Sequence, residues 1–467
     1  MNTRSTSTLL KVIMRTLSMA GVLLLAIPGR AFAAAQEIGF SGPSLGPVPI
    51  EFILFGLVLL GVAVLHNQTM RVAIGGAVGI ALYKIFASPF RTGAGVAGFG
   101  LHLESEWVIL TNLLLLLVGF SLLAKHFENS EVPAVLPKYL PDGWVGGFVL
   151  LWMIFVLSSF LDNIAAALIG GAVAHTVFRG KIHIGYLAAI VAASNAGGAG
   201  SVVGDTTTTM MWIAGVPPLQ VLHGYGGSFV AMFICGIPAA LKQHSYSPIQ
   251  KDATVGARID WVRVSVVLSI LAAAIVVNVM INTRFTDVSD QFPFLGAAVW
   301  AAILLTTALR KPDWSLLPNA IKGAAFLLSL VLCASMMPVE RLPIASWHSA
   351  FGLGFVSAVF DNIPLTALAL KQGGYDWGVL AYAVGFGGSM IWFGSSAGVA
   401  LVSMYPEGRD AGKWLREGWF VTVAYIIGFF ALISLLGFHP GVRPRGAVEP
   451  TPVSVSAPQP SSLVVQR

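Results

Sequence analysis

A chain of 467 residues that is 56% hydrophobic and only 10% charged, with a mean hydropathy of +0.80, cannot cover itself as a water-soluble globule. Many of its apolar runs reach the length needed to cross a bilayer, so the composition specifies an all-α polytopic membrane protein whose solvent is lipid. The formal charge of +6 then belongs to loops beside a membrane and calls for no nucleic acid. Cys235 and Cys333 both fall within apolar spans, where a thiol serves as a small buried hydrophobe rather than half of a disulfide or a metal pair.

Met1 to Ala33 has the form of a cleavable signal peptide, with Arg4, Lys11 and Arg15 ahead of the apolar run Leu17 to Ile27 and Ala31-Phe32-Ala33 at its end. An uncleaved first helix is the alternative. Residues 34–106 combine a Gly/Pro-rich leader with spans near 50–66 and 71–87, which read as scaffold helices; Lys84 is expected to snorkel. A first repeat, 107–241, opens on a span at 107–124. It continues through 146–178, interrupted at Asp162-Asn163, and through 183–215, interrupted by glycines, to a span at 226–241. Residues 242–318 link the halves through scaffold spans near 263–282 and 292–309. A second repeat, 319–438, runs through 319–337, an interrupted region at 345–370 around Asp361, another at 377–404, and a last span at 419–438. From His439 to Arg467 the Pro/Ser/Val-rich composition reads as a disordered tail.

The two repeats are visible in their polar interruptions. Phe160-Leu161-Asp162-Asn163-Ile164 is echoed by Phe360-Asp361-Asn362-Ile363-Pro364. Asn195-Ala196-Gly197-Gly198, which leads to Gly204-Asp205-Thr206, is echoed by Gly387-Gly388, which leads to Gly394-Ser395-Ser396. A helix in hydrocarbon keeps such residues only where it is broken and its freed backbone groups have work to do. Matched interruptions in two halves are the usual pointer to a transporter's binding site.

Each Asp-Asn segment is either a spanning helix or a re-entrant hairpin. If both are hairpins and the mature N-terminus is periplasmic, fifteen of the 23 Lys and Arg beyond the leader fall on the cytoplasmic side. That satisfies the positive-inside rule. The first hairpin then enters from the cytoplasm and the second from the periplasm, so the halves are inverted. The expected architecture is an inverted-repeat transporter with two re-entrant hairpins, two broken helices and about ten crossing helices.

A carboxylate at mid-membrane costs a few kcal/mol or more unless it is solvated, and Asp162, Asp205 and Asp361 all sit at such places. Carboxylate, amide and hydroxyl oxygens are the ligands that small hard cations prefer. In a low dielectric a proton competes with the cation for the carboxylate. Asp162, Asp205 and Asp361 are therefore the candidate titratable centre and the ligands of a transported Na+. Asn163, Asn195, Asn362, Thr206, Ser395 and Ser396 are the neutral ligands. A purely structural role is also available to each acid, as the N-cap of the following helix. Close packing explains the glycine pairs as well as ion access does.

Asn195-Ala196-Gly197-Gly198 through Gly204-Asp205 and Thr207-Thr208-Thr209-Met210 resembles the signature of the NhaD-type Na+/H+ antiporters. Gly387-Gly388-Ser389 with Gly394-Ser395-Ser396-Ala397-Gly398-Val399 resembles that family's second-half motif, and the two Asp-Asn segments match as well. The resemblance covers most of 107–438. It implies a place in the wider group that includes citrate, dicarboxylate and arsenite carriers, with substrate held between inverted repeats in a homodimer. One departure is the run Ile164-Ala165-Ala166-Ala167-Leu168 after the first Asp-Asn, where the antiporters usually carry threonines.

The expected function is exchange of Na+ (or Li+) for H+ in the inner (cytoplasmic) membrane of a bacterium, without a cofactor. Its partners are membrane lipid and small inorganic cations. The alternative is an ion-coupled carrier of citrate-like anions or arsenite. Three aspartates argue against a multiply charged anion, while Ser395-Ser396 would suit one. An intramembrane hydrolase is a poorer fit: Val202-Val203-Gly204 before Asp205 lacks the second glycine of an aspartyl protease, and Ser389 lacks a histidine partner. No phosphate-binding loop of a primary pump is present in the sequence. The chain thus reads as a transporter and not an enzyme.

Overall fold

The structure is a computed structural model that describes residues 42–46, 48–65, 68–250, 258–285, 288 and 291–447. The signal peptide read at Met1 to Ala33 lies outside them. A two-residue ribbon, Ser44–Leu45 paired with Val48–Pro49, precedes a protein that is otherwise helical.

The first three long helices are α1 (Ile50–Val64), α2 (Thr69–Ala87) and α3 (Gly95–Glu128). Helix α3 begins well before the apolar run at 107. Glu104 and Glu106 lower the hydropathy of its first turns but are good helix formers, so the helix continues through them. Its 34 residues span roughly 50 Å, well beyond a hydrocarbon core of about 30 Å. Lys84 on α2 does not snorkel: it is buried, with its ammonium 5.1 Å from the Phe90 ring.

The interrupted regions resolve into helix pairs. Region 146–178 is α4 (Gly143–Ser158) and α5 (Asn163–Val177), and 183–215 is α6 (Ile184–Ala199) and α7 (Thr206–Ile213). Next come α8 (Gly224–Tyr246), α9 (Trp261–Arg284), α10 (Phe294–Thr306) and α11 (Leu317–Ser335). The second half repeats the pattern with α12 (Trp347–Ser357), α13 (Asn362–Gln372), α14 (Trp377–Gly387) and α15 (Ser396–Met404), followed by α16 (Trp419–Leu436). Among the described residues six helical stretches are long and apolar enough to cross a membrane singly, and most other apolar helices are paired across a break.

Two groups of helices result. Helix α6 lies at the centre of one: every residue from Gly185 to Ala199 is buried. Its small side chains let α4, α5, α8 and α14 approach on all sides, as interfaces in lipid require. Helix α16 packs along α8, and α12 along α14. Tyr382 on α14 fixes this layer, stacked on Tyr425 and donating its hydroxyl to the Ala424 and Tyr425 carbonyls of α16 at 3.1 and 3.0 Å. The other group joins α1, α2, α3, α9, α10 and α11. The groups meet where α11 lies along α13 and α3 touches α7.

The disorder expected from His439 onward does not apply to its first nine residues. His439 N donates to Asp376 at 2.9 Å, Trp377 Nε1 to the Val442 carbonyl at 2.8 Å, and Arg445 N to the Ala214 carbonyl at 2.8 Å. Side-chain and backbone hydrogen bonds to the start of α14 and to the turn after α7 supply order that a Pro-rich composition conceals. Residues 448–467 lie outside the described set.

Candidate ion site at the helix breaks

The glycines set the geometry of the breaks by permitting contact. A Cβ on Gly197 would lie 2.1 Å from the Phe155 carbonyl oxygen, and one on Gly204 2.1 Å from that of Ser158, so the end of α4 rests directly on the first break. In the second half a Cβ on Gly387 would lie 2.4 Å from the Gly354 oxygen and one on Gly394 2.6 Å from that of Ala358. The paired glycines are thus accounted for by backbone packing. Hydroxyls bond carbonyls around the breaks: Ser158 Oγ donates to Ser194 O at 2.5 Å, Ser357 Oγ to Val384 O at 2.7 Å, and Thr208 Oγ1 to Ser201 O at 2.6 Å.

Four helices start here, each with its own side-chain cap. Asp162 accepts from Ile164 N at 3.2 Å, Asp205 from Thr207 N at 2.9 Å, Asp361 from Ile363 N at 3.0 Å, and Ser395 from Gly398 N at 3.3 Å. The structural role available to the aspartates is therefore real. It occupies one carboxylate oxygen of each and leaves the other.

The remaining oxygens differ. Asp205 Oδ2 accepts from Asn163 Nδ2 at 3.0 Å and Asn362 Nδ2 at 3.3 Å, one amide from each Asp-Asn pair. Asn163 Nδ2 also donates to Asn195 Oδ1 at 3.0 Å. Asn195 Nδ2 in turn reaches Ser389 Oγ at 2.9 Å and Ser395 Oγ at 3.1 Å. One chain of hydrogen bonds thus joins Asn163, Asn195, Asp205, Asn362 and Ser395, all buried. Asp361 stands apart with Ser396, whose hydroxyl donates to its Oδ2 at 2.8 Å. Thr206 does not bond to Asp205.

Asp162, Asp205 and Thr206 instead line a cavity of about 300 Å³ between α3, α5, α7 and α11. Its other walls are mostly apolar, among them Leu116 and Phe120 of α3 and Leu327 of α11, and no Lys, Arg or His lines it.

The three aspartates do not form one tight cluster. Among the described residues no three acidic, His or Cys side chains come close enough to share a metal ion. Each caps a different helix: Asp205 bonds amides of both halves, Asp162 lines the cavity and Asp361 bonds Ser396. Sequence reasoning passed over Ser389 as a ligand, although it follows Gly387-Gly388 directly. It also missed the largely buried pair of Glu106 on α3 and Lys371 on α13, for which acids at the edge of an apolar run were the available signal.

The chain is similar in sequence to several sodium/proton antiporters. The chain is 28% identical to sodium/proton antiporter 1 of Arabidopsis thaliana, over 69% of its own length and 59% of the relative's. It is 26% identical to the Na+/H+ antiporter NhaD of Vibrio parahaemolyticus, over 63% and 80%. It is 24% identical to the NhaD of Alkalimonas amylolytica, over 89% and 95%. The chain is a relative of the NhaD-type family. The match to the Arabidopsis protein leaves about two fifths of that longer protein uncovered. No protein-family model matches the chain. The NhaD-type relationship and the apolar helices together make this a multi-pass membrane protein.

Proposed function

We propose that the chain exchanges Na+ or Li+ for H+ across the inner membrane by alternating access at Asp205. In this reading its halves are inverted and the α4–α5 and α12–α13 pairs are re-entrant hairpins. The observation that carries the reading is the setting of Asp205. Its side chain is 2% exposed, no cationic residue among those described pairs with it, and its free oxygen lies between amides from the two halves.

That setting supports three states of one carboxylate. Empty and charged, Asp205 is satisfied by two amide N–H groups. A half-turn of the Asn362 amide replaces its nitrogen by oxygen, which supplies a hard ligand for a cation bound by Asp205. The same amide oxygen accepts a hydrogen bond from the protonated carboxyl. Na+ and H+ therefore compete for one group, which is the requirement for exchange. Asn195, Ser389 and Ser395 hold Asn163 in place, and the relatives named sodium/proton antiporters favour the same cargo. A carrier of citrate-like anions or arsenite fits less well, because the cavity beside Asp205 has two carboxylates and no basic side chain.

The test uses purified protein in liposomes with an internal pH dye. Addition of Na+ or Li+, but not K+ or citrate, is expected to move protons, and Asp205→Asn to abolish the response. Proton movement that persists in Asp205→Asn, or uptake of citrate alone, would overturn the reading.

A further inference from the structure

We propose that the cavity between α3, α5, α7 and α11 is a cation-selective vestibule, open to the cytoplasmic face, and that Gly323 keeps it clear. The proposal rests on the transporter reading only for what passes through; the vestibule itself is argued from geometry.

At about 300 Å³ the cavity has space for several waters, so a monovalent cation can enter it hydrated. Its polar floor is Asp162, Asp205 and Thr206. Thr206 is 6% exposed, and among the described residues nothing bonds its hydroxyl. Two carboxylates at the end of an apolar pocket, with no basic residue in its walls, concentrate cations and repel anions. A glycine within α11 costs about 1 kcal/mol in helix propensity relative to alanine. Packing does not explain its presence at 323, since a Cβ there would meet nothing within 4 Å. Gly323 is one of the cavity's wall residues.

The matching place in the second half is built differently. In the second half the residues matching Asp162 and Thr206 are Asp361 and Ser396, and these are bonded to each other at 2.8 Å. Helix α13 is also held to α3 by the buried Lys371–Glu106 pair. In the first half the wall residues Ala124 and Gly323 adjoin Lys125 and Lys322 in sequence. Both lysines fall in the cytoplasmic set when the two Asp-Asn segments are read as hairpins and the N-terminus as periplasmic, the arrangement that satisfies the positive-inside rule.

Full-length Gly323→Cys and Ala320→Cys proteins, in inside-out and right-side-out vesicles, would be treated with a cationic and an anionic methanethiosulfonate. Wild type is the control, its Cys235 and Cys333 being buried. Labelling is expected from the cytoplasmic side. After normalisation to a free thiol, the cationic reagent is expected to react about tenfold faster than the anionic one. Asp162→Asn is expected to cut that preference at least to about a third. The proposal is overturned if neither cysteine reacts in protein that melts like wild type, if the two reagents react equally, or if labelling comes from the periplasm alone. Labelling requires no transport. Sodium-driven proton movement without labelling would therefore sink only the vestibule, and labelling without that movement only the antiporter reading.

Discussion

Lys371 and Glu106 are 265 residues apart in sequence and form an ion pair in which both side chains are nearly buried. One lies in the last turn of α13 and the other on α3, so the pair ties together the two groups of helices on the side away from the cavity. Ion pairs in such a setting contribute little against an apolar replacement, but breaking one leaves a charge without compensation.

Lys371→Met is accordingly expected to destabilise the protein by about 3–5 kcal/mol, and Glu106→Gln combined with Lys371→Met by clearly less. Thermal melting in detergent would decide. A single variant as stable as wild type would mean that water screens the pair.

Asn163 and Asn362 both donate to Asp205 Oδ2, but Asn163 also bonds Asn195. Replacing either by alanine removes a donor from a buried carboxylate, at about 1–3 kcal/mol. Asn163→Ala is expected to cost more and to raise the KM for Na+ further. Melting temperatures and sodium titrations of proton movement, compared side by side, test the order; a larger effect for Asn362→Ala would reverse the assignment.

Two classes of glycine should separate on melting. Gly197→Ala and Gly387→Ala press a methyl into backbone atoms and are expected to cost at least about 3 kcal/mol, at the large end for single substitutions. Gly323→Ala faces open space and is expected to be neutral or to gain up to about 1 kcal/mol. Equal losses at all three positions would contradict the contacts described for the breaks.

Outside the spans, Asp260 caps α9 and accepts from Arg310 Nε at 2.9 Å, and the Arg310 side chain holds its carboxyl below the usual range. A depressed carboxyl stabilises the fold above its unfolded value of about 3.9, and the gain is lost as pH falls through the folded value. The melting difference between wild type and Asp260→Asn is thus expected to be constant from pH 7 to 5 and to shrink below pH 4. A difference that grows on acidification would show the opposite linkage.

The sequence by itself determined the membrane class, the breaks and their residues, because these are local matters. An Asp-Asn before an apolar run can cap only the helix that follows it, and Gly197-Gly198 and Gly387-Gly388 mark where two backbones touch. The match between the halves made both features legible without a structure. Tertiary structure alone decided the rest. The partners of Asp205 include Asn362, 157 residues away, and Asn195 reaches Ser389 and Ser395 across 194 and 200. Hydropathy began α3 only after its acids, because the Lys371 that neutralises Glu106 is brought there only by packing. The three aspartates read alike in sequence. Their difference, one bonded to amides of both halves, one bonded to Ser396 and one facing a cavity, is a property of how the helix groups meet, which no local pattern encodes.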